Sequence, residues 1–437
     1  MASNRWKSYL QSEIARRFYV LLGGTFFAQV IGYALAPVLT RLYTPEEMGE
    51  LNLFLRITGF LSAAATLRYE LSLPLPKQDQ HAFLIYRHSF RLAAYLCGAF
   101  LLIALPLRWV APEHSLSIGM ITVILIATIF LVAINLGTNW SIRTSDFKRV
   151  TRQKLLNSIV TNGLKWALAF SHWGGWALIL ATVAGYVLSS LEFLVGYTRL
   201  KAKYTKEHSR AKTFALMKEH RDFPTMNLPI VMMDNVRDLI LGVVIFGFYS
   251  AAIFGSYSHT LAMLSLPIML VSGSLSQVLF HQLAERRNER KAMYGLVLKT
   301  IAALVALSVI PFGVLRLYGQ EIFVWVFGGD WLDAGRYAEM MTFWLMLNFI
   351  FSPLAVVPII LKKQKFAFVF STVSALLQLM PFVWCYAHHQ SASFDFEWAL
   401  RTSSNILAGW FILLLFIYLR WVRLSDNELN HAVESNT

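Results

Sequence analysis

Apolar residues run along this chain in blocks about as long as a bilayer crossing, with the polar residues gathered between them. A helix needs roughly 20 predominantly apolar residues to cross about 30 Å of hydrocarbon. Twelve such blocks are legible, at 18–40, 48–70, 86–107, 116–140, 153–171, 174–198, 223–246, 251–279, 293–315, 336–361, 366–387 and 397–419. The pattern predicts an all-α membrane protein with twelve transmembrane helices. The longest polar interruption, KAKYTKEHSRAKTFALMKEHRD at 201–222, leaves six spans on either side. The expected organisation is an N-terminal lobe over 1–200, a cytoplasmic connector over 201–222 and a C-terminal lobe over 223–437. Part of the connector reads as an amphipathic helix lying on the inner leaflet.

The two lobes open alike. Leu42-Tyr43-Thr44-Pro45-Glu46-Glu47-Met48-Gly49 follows the first span, and Phe248-Tyr249-Ser250-Ala251-Ala252-Ile253-Phe254-Gly255 follows the seventh. In each, a glycine comes six residues after a tyrosine. Their matched placement argues for duplication. Because six spans separate them, the two six-helix lobes share an orientation, related by a pseudo-two-fold axis along the membrane normal.

Composition agrees with this class: 15% of the 437 residues are charged and 56% are hydrophobic, where a soluble domain carries roughly 25% charged residues. The net charge of +14 alone suits a nucleic-acid partner. Its distribution excludes that reading, because most of the 39 lysines and arginines fall in alternate loops and the opposite side holds only Arg41, Arg108, Arg316 and Arg336. That is the positive-inside pattern with both termini cytoplasmic. Membrane lipid, particularly anionic lipid, is the partner it implies. The N-terminal MASNRWKSYLQSEIARR lacks a small-residue cleavage site, so the first span is expected to be retained. Cys97 and Cys385 fall within spans and read as small buried hydrophobes. No Walker A run, metal motif or dinucleotide fingerprint occurs, and the longest outside loop, Arg316 to Gly335, holds no nucleophile–base set. The expectation is a protein without cofactor that is not an enzyme.

Charges inside spans carry the functional signal, because an ionisable side chain at mid-bilayer costs about 2.5–3.5 kcal/mol and needs a partner or water. Arg56, Arg68, Lys165, Arg237, Lys299 and Arg401 stand against Glu70, Glu192, Asp234 and Asp238. The positive excess favours an anionic ligand, and phosphate suits both the arginine fork and the lysine point charge. Counted from the cytoplasmic end, Arg237 lies roughly 21 Å and Lys165 about 18 Å along their helices, with Arg56 and Lys299 at about 12 Å. Arg237 and Lys165 are too deep to snorkel easily. Polar stripes at helical spacing accompany them: Asn157, Thr161 and Lys165; Asn227, Asp234 and Asp238; Asn52 and Arg56. Two readings of Arg237 stay open, a ligand contact or neutralisation by Asp234 and Asp238 of its own helix. Arg68 and Glu70 are open in the same way, as cavity groups or as an interfacial pair.

LLGGTFFAQVIGYALAPVLTRLYTPEEMGELNLFLRITGFLSAAATLRYELSLPLP at 21–76 resembles the opening of the polysaccharide-transport branch of the multidrug/oligosaccharidyl-lipid/polysaccharide (MOP) exporter superfamily, which includes the Wzx-type lipid-linked oligosaccharide flippases. SLPIMLVSGSLSQVLFHQLAE at 265–285 and FVWVFGGDWLDAGRYAEMMTFWLMLNFIFSPL at 323–354 continue the resemblance in order. It implies two six-helix lobes alternating between inward-open and outward-open forms in the bacterial cytoplasmic (inner) membrane. The implied activity moves an undecaprenyl-diphosphate-linked oligosaccharide (O-antigen, capsule or a similar repeat unit) from the cytoplasmic to the periplasmic leaflet through a cationic cavity. Some members carry an essential arginine on the second span, where Arg56 stands here. The expected substrate-binding set is Arg56, Lys165, Arg237, Lys299 and Arg68. Asp234, Asp238 and Glu70 are the candidates for coupling to a proton or sodium ion, and a glycan polymerase and chain-length proteins are the implied pathway partners. The alternative is an ion-coupled multidrug or small-molecule exporter of the same superfamily. Such relatives often bear a carboxylate on the first span, which is missing here.

Overall fold

The computed structural model describes residue 27 and residues 29–110, 116–204, 210–388 and 392–434. Helices joined by turns make up these residues, with no strand among them. The stretch without a cleavage site lies outside the described residues. The chain divides into two compact units, Met1–Gly242 and Val243–Thr437.

In the first unit the helices are α1 (Gln29–Thr40), α2 (Pro45–Ala65), α3 (Asp79–Val110), α4 (Ile118–Arg143), α5 (Phe147–Leu168), α6 (Gly175–Tyr204) and α7 (Arg210–Glu219). A π turn, Phe223–Asn227, leads into α8 (Leu228–Phe248), and the division between units falls inside this helix. The sequence pattern places the lobe boundary ahead of it. The second unit continues with α9 (Ala251–Asn288), α10 (Tyr294–Phe327), α11 (Leu332–Phe351), the single turn α12 (Val357–Ile360), α13 (Gln364–Ala387) and α14 (Ala392–Glu434). Among the described residues, eight helical segments are long and apolar enough to cross a membrane. The predicted spans that become α2, α5 and α8 are not among them, and these helices hold Arg56, Lys165 and the Asp234–Arg237–Asp238 group. Polarity is thus concentrated on a few helices of the first unit.

Local chemistry explains where α2 and α9 begin. Thr44 caps α2 by accepting from the Glu47 amide while the Glu47 carboxylate accepts from the Thr44 amide, and Pro45 fills the first helical position. Ser250 caps α9 through the Ile253 amide. The tyrosine before each cap is tied to a distant helix. Tyr43 Oη donates to the Lys165 carbonyl on α5 at 2.6 Å, and Tyr249 Oη donates to the Phe382 carbonyl on α13 at 3.2 Å. Each acceptor lies on the fifth predicted span of its half, and Gly49 and Gly255 are both buried one turn into the capped helix. The repeated Tyr–Gly signature is therefore a repeated helix-fastening device, present once in each unit.

The Phe-Gly-x-x-Trp-x-x-Ala-Gly run is also structural. Trp331 is wholly buried and lies 4.4 Å from the His259 ring, which Phe327 meets edge-on at 4.6 Å. Gly328 adopts φ 109°, open to glycine but strained for other residues. The Ala334 carbonyl accepts from Thr260 Oγ1 at 2.8 Å. A Cβ on Gly335 would stand 2.6 Å from the Gln320 Cα, so only hydrogen fits between α10 and α11 there.

Two charged side chains fasten loops at helix ends. Arg143, in the last turn of α4, donates to the carbonyls of Leu73 at 3.1 Å and Pro76 at 2.6 Å and pairs with Asp79 at 2.9 Å. Asp426, buried on α14, accepts from the amides of Met293 and Tyr294 at 2.9 and 2.7 Å, where α10 starts.

Candidate functional site

Helix α2 buries Leu51, Phe54, Thr58, Leu61, Ser62 and Ala65 along one face and leaves Arg56 half-buried on another. Arg56 lies about 14–17 Å from either end of its helix. Its guanidinium donates to the backbone carbonyl of Asp238, near the middle of α8. Further along, Leu67 and Arg68 take left-handed conformations at φ 50° and 64° and end the helix. That turn aims Arg68 at the π turn leading into α8, where its Nε donates to Asn227 Oδ1 at 3.1 Å. Two arginines of the α2 segment thus hold α8, which accounts for its first part packing with the first unit.

On α8, Arg237 is clasped by its own helix. Its Nε and Nη2 donate to Asp238 Oδ1 at 3.0 Å, and Nη1 lies 3.4 Å from Asp234 Oδ1. The structure therefore realises the self-neutralised reading of Arg237. The cluster is not buried, since the side chains of Asp234 and Asp238 are 59% and 52% exposed. At 3.6 residues per turn, these carboxylates share one side of α8, while the exposed Val236, Ile240 and Val243 share the other. Exposed carboxylates halfway along a spanning helix are incompatible with acyl chains. The Asp234–Asp238 face of α8 requires water, and the valine–isoleucine face suits lipid.

Glu70 is buried, pairs with Arg68 Nη1 at 3.2 Å and accepts from the Thr66 hydroxyl. The Arg-Tyr-Glu sequence is thus an internally satisfied end to α2, and Tyr69 Oη adds a bond to the Met217 carbonyl of α7 at 3.1 Å. Along this seam Arg56, Arg68 and Arg237 are matched in number by Glu70, Asp234 and Asp238. The other cations read from the sequence lie elsewhere, on Lys165, Lys299 and Arg401.

Lys165 sits three residues before α5 ends at Leu168, about 5 Å from that end. The depth inferred from sequence was counted from the opposite end of the span. The C-terminus of a helix favours a cation, and the Lys165 ammonium has no ion pair or hydrogen bond among the described residues. Through Tyr43 its backbone is level with the start of α2, roughly 17 Å along the axis from Arg56. The rest of the α5 stripe faces α6: Gly185 packs against Asn157 Oδ1 and Thr161 Oγ1, buried atoms without hydrogen-bond partners among the described residues. At the matching positions of α13, Ser374 accepts from Trp410 Nε1 at 2.7 Å and Gln378 Nε2 donates to Tyr257 Oη at 3.4 Å. Among the described residues, the stripe left unsatisfied is that of the first unit.

Lys299 belongs to the second unit. It is exposed beside a cavity of about 750 Å³ between α9 and α10, walled by Leu275, Leu304 and Leu307, and it has no ion pair among the described residues. The close approach of Gly185 and the carbonyl role of Lys165 had no sequence signal. The Tyr–cap–Gly echo did mark the Tyr43 anchor, without naming its acceptor.

The sequence pattern of the family described as polysaccharide biosynthesis protein matches residues 38–336. No curated protein sequence matches the chain. Among solved structures, an inward-facing multidrug resistance MATE family transporter of the MOP superfamily superposes with TM-score 0.62 at 16% identity, covering 94% of this chain and 98% of that one. The lipid II flippase MurJ in an inward closed conformation superposes with TM-score 0.67 at 12% identity, covering 95% of this chain and 93% of that one. At these identities the likeness concerns the fold alone.

Proposed function

This chain belongs to the polysaccharide biosynthesis protein family, and on that premise we propose that it flips an undecaprenyl-diphosphate-linked oligosaccharide from the cytoplasmic to the periplasmic leaflet of a bacterial inner membrane. The observation that carries the reading is the exposed charge cluster at mid-helix depth, where Arg56 of α2 bonds the Asp238 carbonyl and Arg237 the Asp234 and Asp238 carboxylates of α8. A diphosphate cannot cross bare hydrocarbon without losing its hydration. An arginine-bearing aqueous face supplies replacement hydrogen bonds, and arginine accepts phosphate oxygens in pairs.

Arg237 gives this scheme a switch. In the structure Asp234 and Asp238 occupy it. A proton or sodium ion taken up by those exposed carboxylates releases the guanidinium to the diphosphate, and loss of the ion returns it. Substrate and coupling ion are thereby linked through one arginine. Arg68 and Glu70, already satisfied together, hold the end of α2.

A second reading follows from the same carboxylates. Asp234 and Asp238 would also attract an organic cation, as an ion-coupled exporter requires. Genetic replacement separates the two. Arg56→Gln and Arg237→Gln should each lower surface glycan about tenfold or more, the effect of losing a charge-assisted hydrogen bond, with the protein present in the membrane at its usual level. Unchanged glycan in the double variant rejects the flippase reading. A changed tolerance of cationic drugs with normal glycan would instead favour export.

A further inference from the structure

We infer that the first unit carries a separate binding site for the phosphate headgroup of an anionic membrane phospholipid, on Arg149, Arg199 and Lys203 of α5 and α6. These residues border a cavity of about 630 Å³ formed at the start of α5 and along the second half of α6. None of them belongs to the α2–α8 seam.

Two glycines shape the cavity. Gly137 on α4 leaves no room for a Cβ beneath the Phe193 ring, so the ring sinks into the unit and forms the floor. On α6, a Cβ at Gly196 would stand 2.6 Å from Arg149 Nη2. The absence of a side chain there lets the guanidinium lie across the helix, with its carbon 5.3 Å from the centre of the Phe193 ring. Glu192 receives Arg149 through its backbone carbonyl and through its carboxylate, Oε1 lying 3.4 Å from Nε. Arg152 approaches the same Oε1 at 3.1 Å. One carboxylate therefore serves two arginines, and Arg149 Nε remains buried without a hydrogen-bond partner among the described residues.

Charge complementarity names the occupant. Leu191, Val195 and Arg199 follow each other at four-residue intervals on one side of α6, with Lys203 a turn beyond. The first two are 47% and 50% exposed, and Arg199 and Lys203 are exposed with no carboxylate in ion-pair range among the described residues. An apolar stripe that runs into cations and an aromatic-floored cavity matches an acyl chain leading to a phosphate. Each cation near an anionic headgroup contributes about 1 kcal/mol, and the cavity lies within the usual size of a small-molecule pocket, about 300–1,000 Å³. A zwitterionic lipid offers the same chain but loses the net attraction.

The test uses the full chain, purified and stripped of lipid, and titrated with phosphatidylglycerol or phosphatidylcholine. Binding is read by native mass spectrometry and by the thermal unfolding midpoint. Phosphatidylglycerol should bind saturably and raise the midpoint, whereas phosphatidylcholine should not. The Arg199→Gln/Lys203→Gln variant, altered only at exposed positions, should weaken the phosphatidylglycerol response about tenfold or more. Equal responses to the two lipids, or an unchanged response in the variant, would overturn the site. Displacement of phosphatidylglycerol by an equimolar polyprenyl diphosphate would overturn it too, by making the cavity a substrate entry. Photoactivatable phosphatidylglycerol on the unaltered chain gives an independent readout: adducts within 191–203 support the site, and adducts confined to other segments refute it.

Discussion

At the scale of single residues, hydrogen in place of a side chain decides several contacts that hold helices together. Gly335 faces the Gln320 Cα, a backbone atom that cannot swing aside. Gly335→Ala should therefore lower stability by about 1–3 kcal/mol, the usual range for overpacking, seen as a reduced thermal midpoint in detergent. Gly59, inside α2 with nothing within 4 Å of a would-be Cβ, is the comparison. There alanine should be neutral or stabilising by up to about 1 kcal/mol, because it is the better helix former. Equal losses at both sites would discard close approach as the explanation. The sequence displays the Phe327–Gly335 run plainly but not its reason, since spacing along one helix does not reveal which backbone a glycine meets. Gly185 beneath Thr161 is hidden for the same cause.

At the scale of helices, boundaries follow from caps that come from close by and from far away. The capping box at Thr44 and Glu47 is readable in sequence because its partners lie three residues apart. The cap on α10 is not: Asp426 reaches Met293 and Tyr294 from another helix, more than a hundred residues later in the chain. Asp426→Ala should cost about 1–2 kcal/mol and loosen the start of α10, measurable as faster hydrogen exchange at the Met293 and Tyr294 amides. Asp426→Asn keeps an acceptor and should lose less. The apolar blocks located the helices well, because burial in lipid imposes a length that sequence alone records. Depth within a helix was harder to read. Lys165 is far from one end of α5 and about 5 Å from the other, which a count from a single end does not show. Arg56 and Arg237, central by either count, both reach Asp238, one through its carbonyl and the other through its carboxylate.

At the scale of the whole molecule, the distribution of polarity separates the helices that need water from those that tolerate lipid. Among the described residues eight helical segments are long and apolar enough to cross a membrane, and the charge-bearing helices α2, α5 and α8 are not among them. The sequence contained that contrast in its intramembrane charges, but the sign of the site was less legible, because Asp234 and Asp238 cancel Arg237 only once their side-chain geometry is known. The two faces of α8 convert this into a test that the native cysteines leave uncluttered, since Cys97 and Cys385 are both buried. Single cysteines at Asp238 and at Ile240 differ by two positions, which turns them to roughly opposite sides of the helix. In intact membranes, Asp238→Cys should react with a charged, membrane-impermeant thiol reagent from whichever side has access, and Ile240→Cys should resist it. Prior addition of a lipid-linked oligosaccharide should slow the reaction at position 238 if the aqueous face is the path of the diphosphate. Equal reactivity at both positions would mean that α8 is bathed by water all round. Reactivity at 240 alone would place the carboxylates against acyl chains, where exposed charge is not sustainable, and would remove the aqueous face on which the diphosphate path depends.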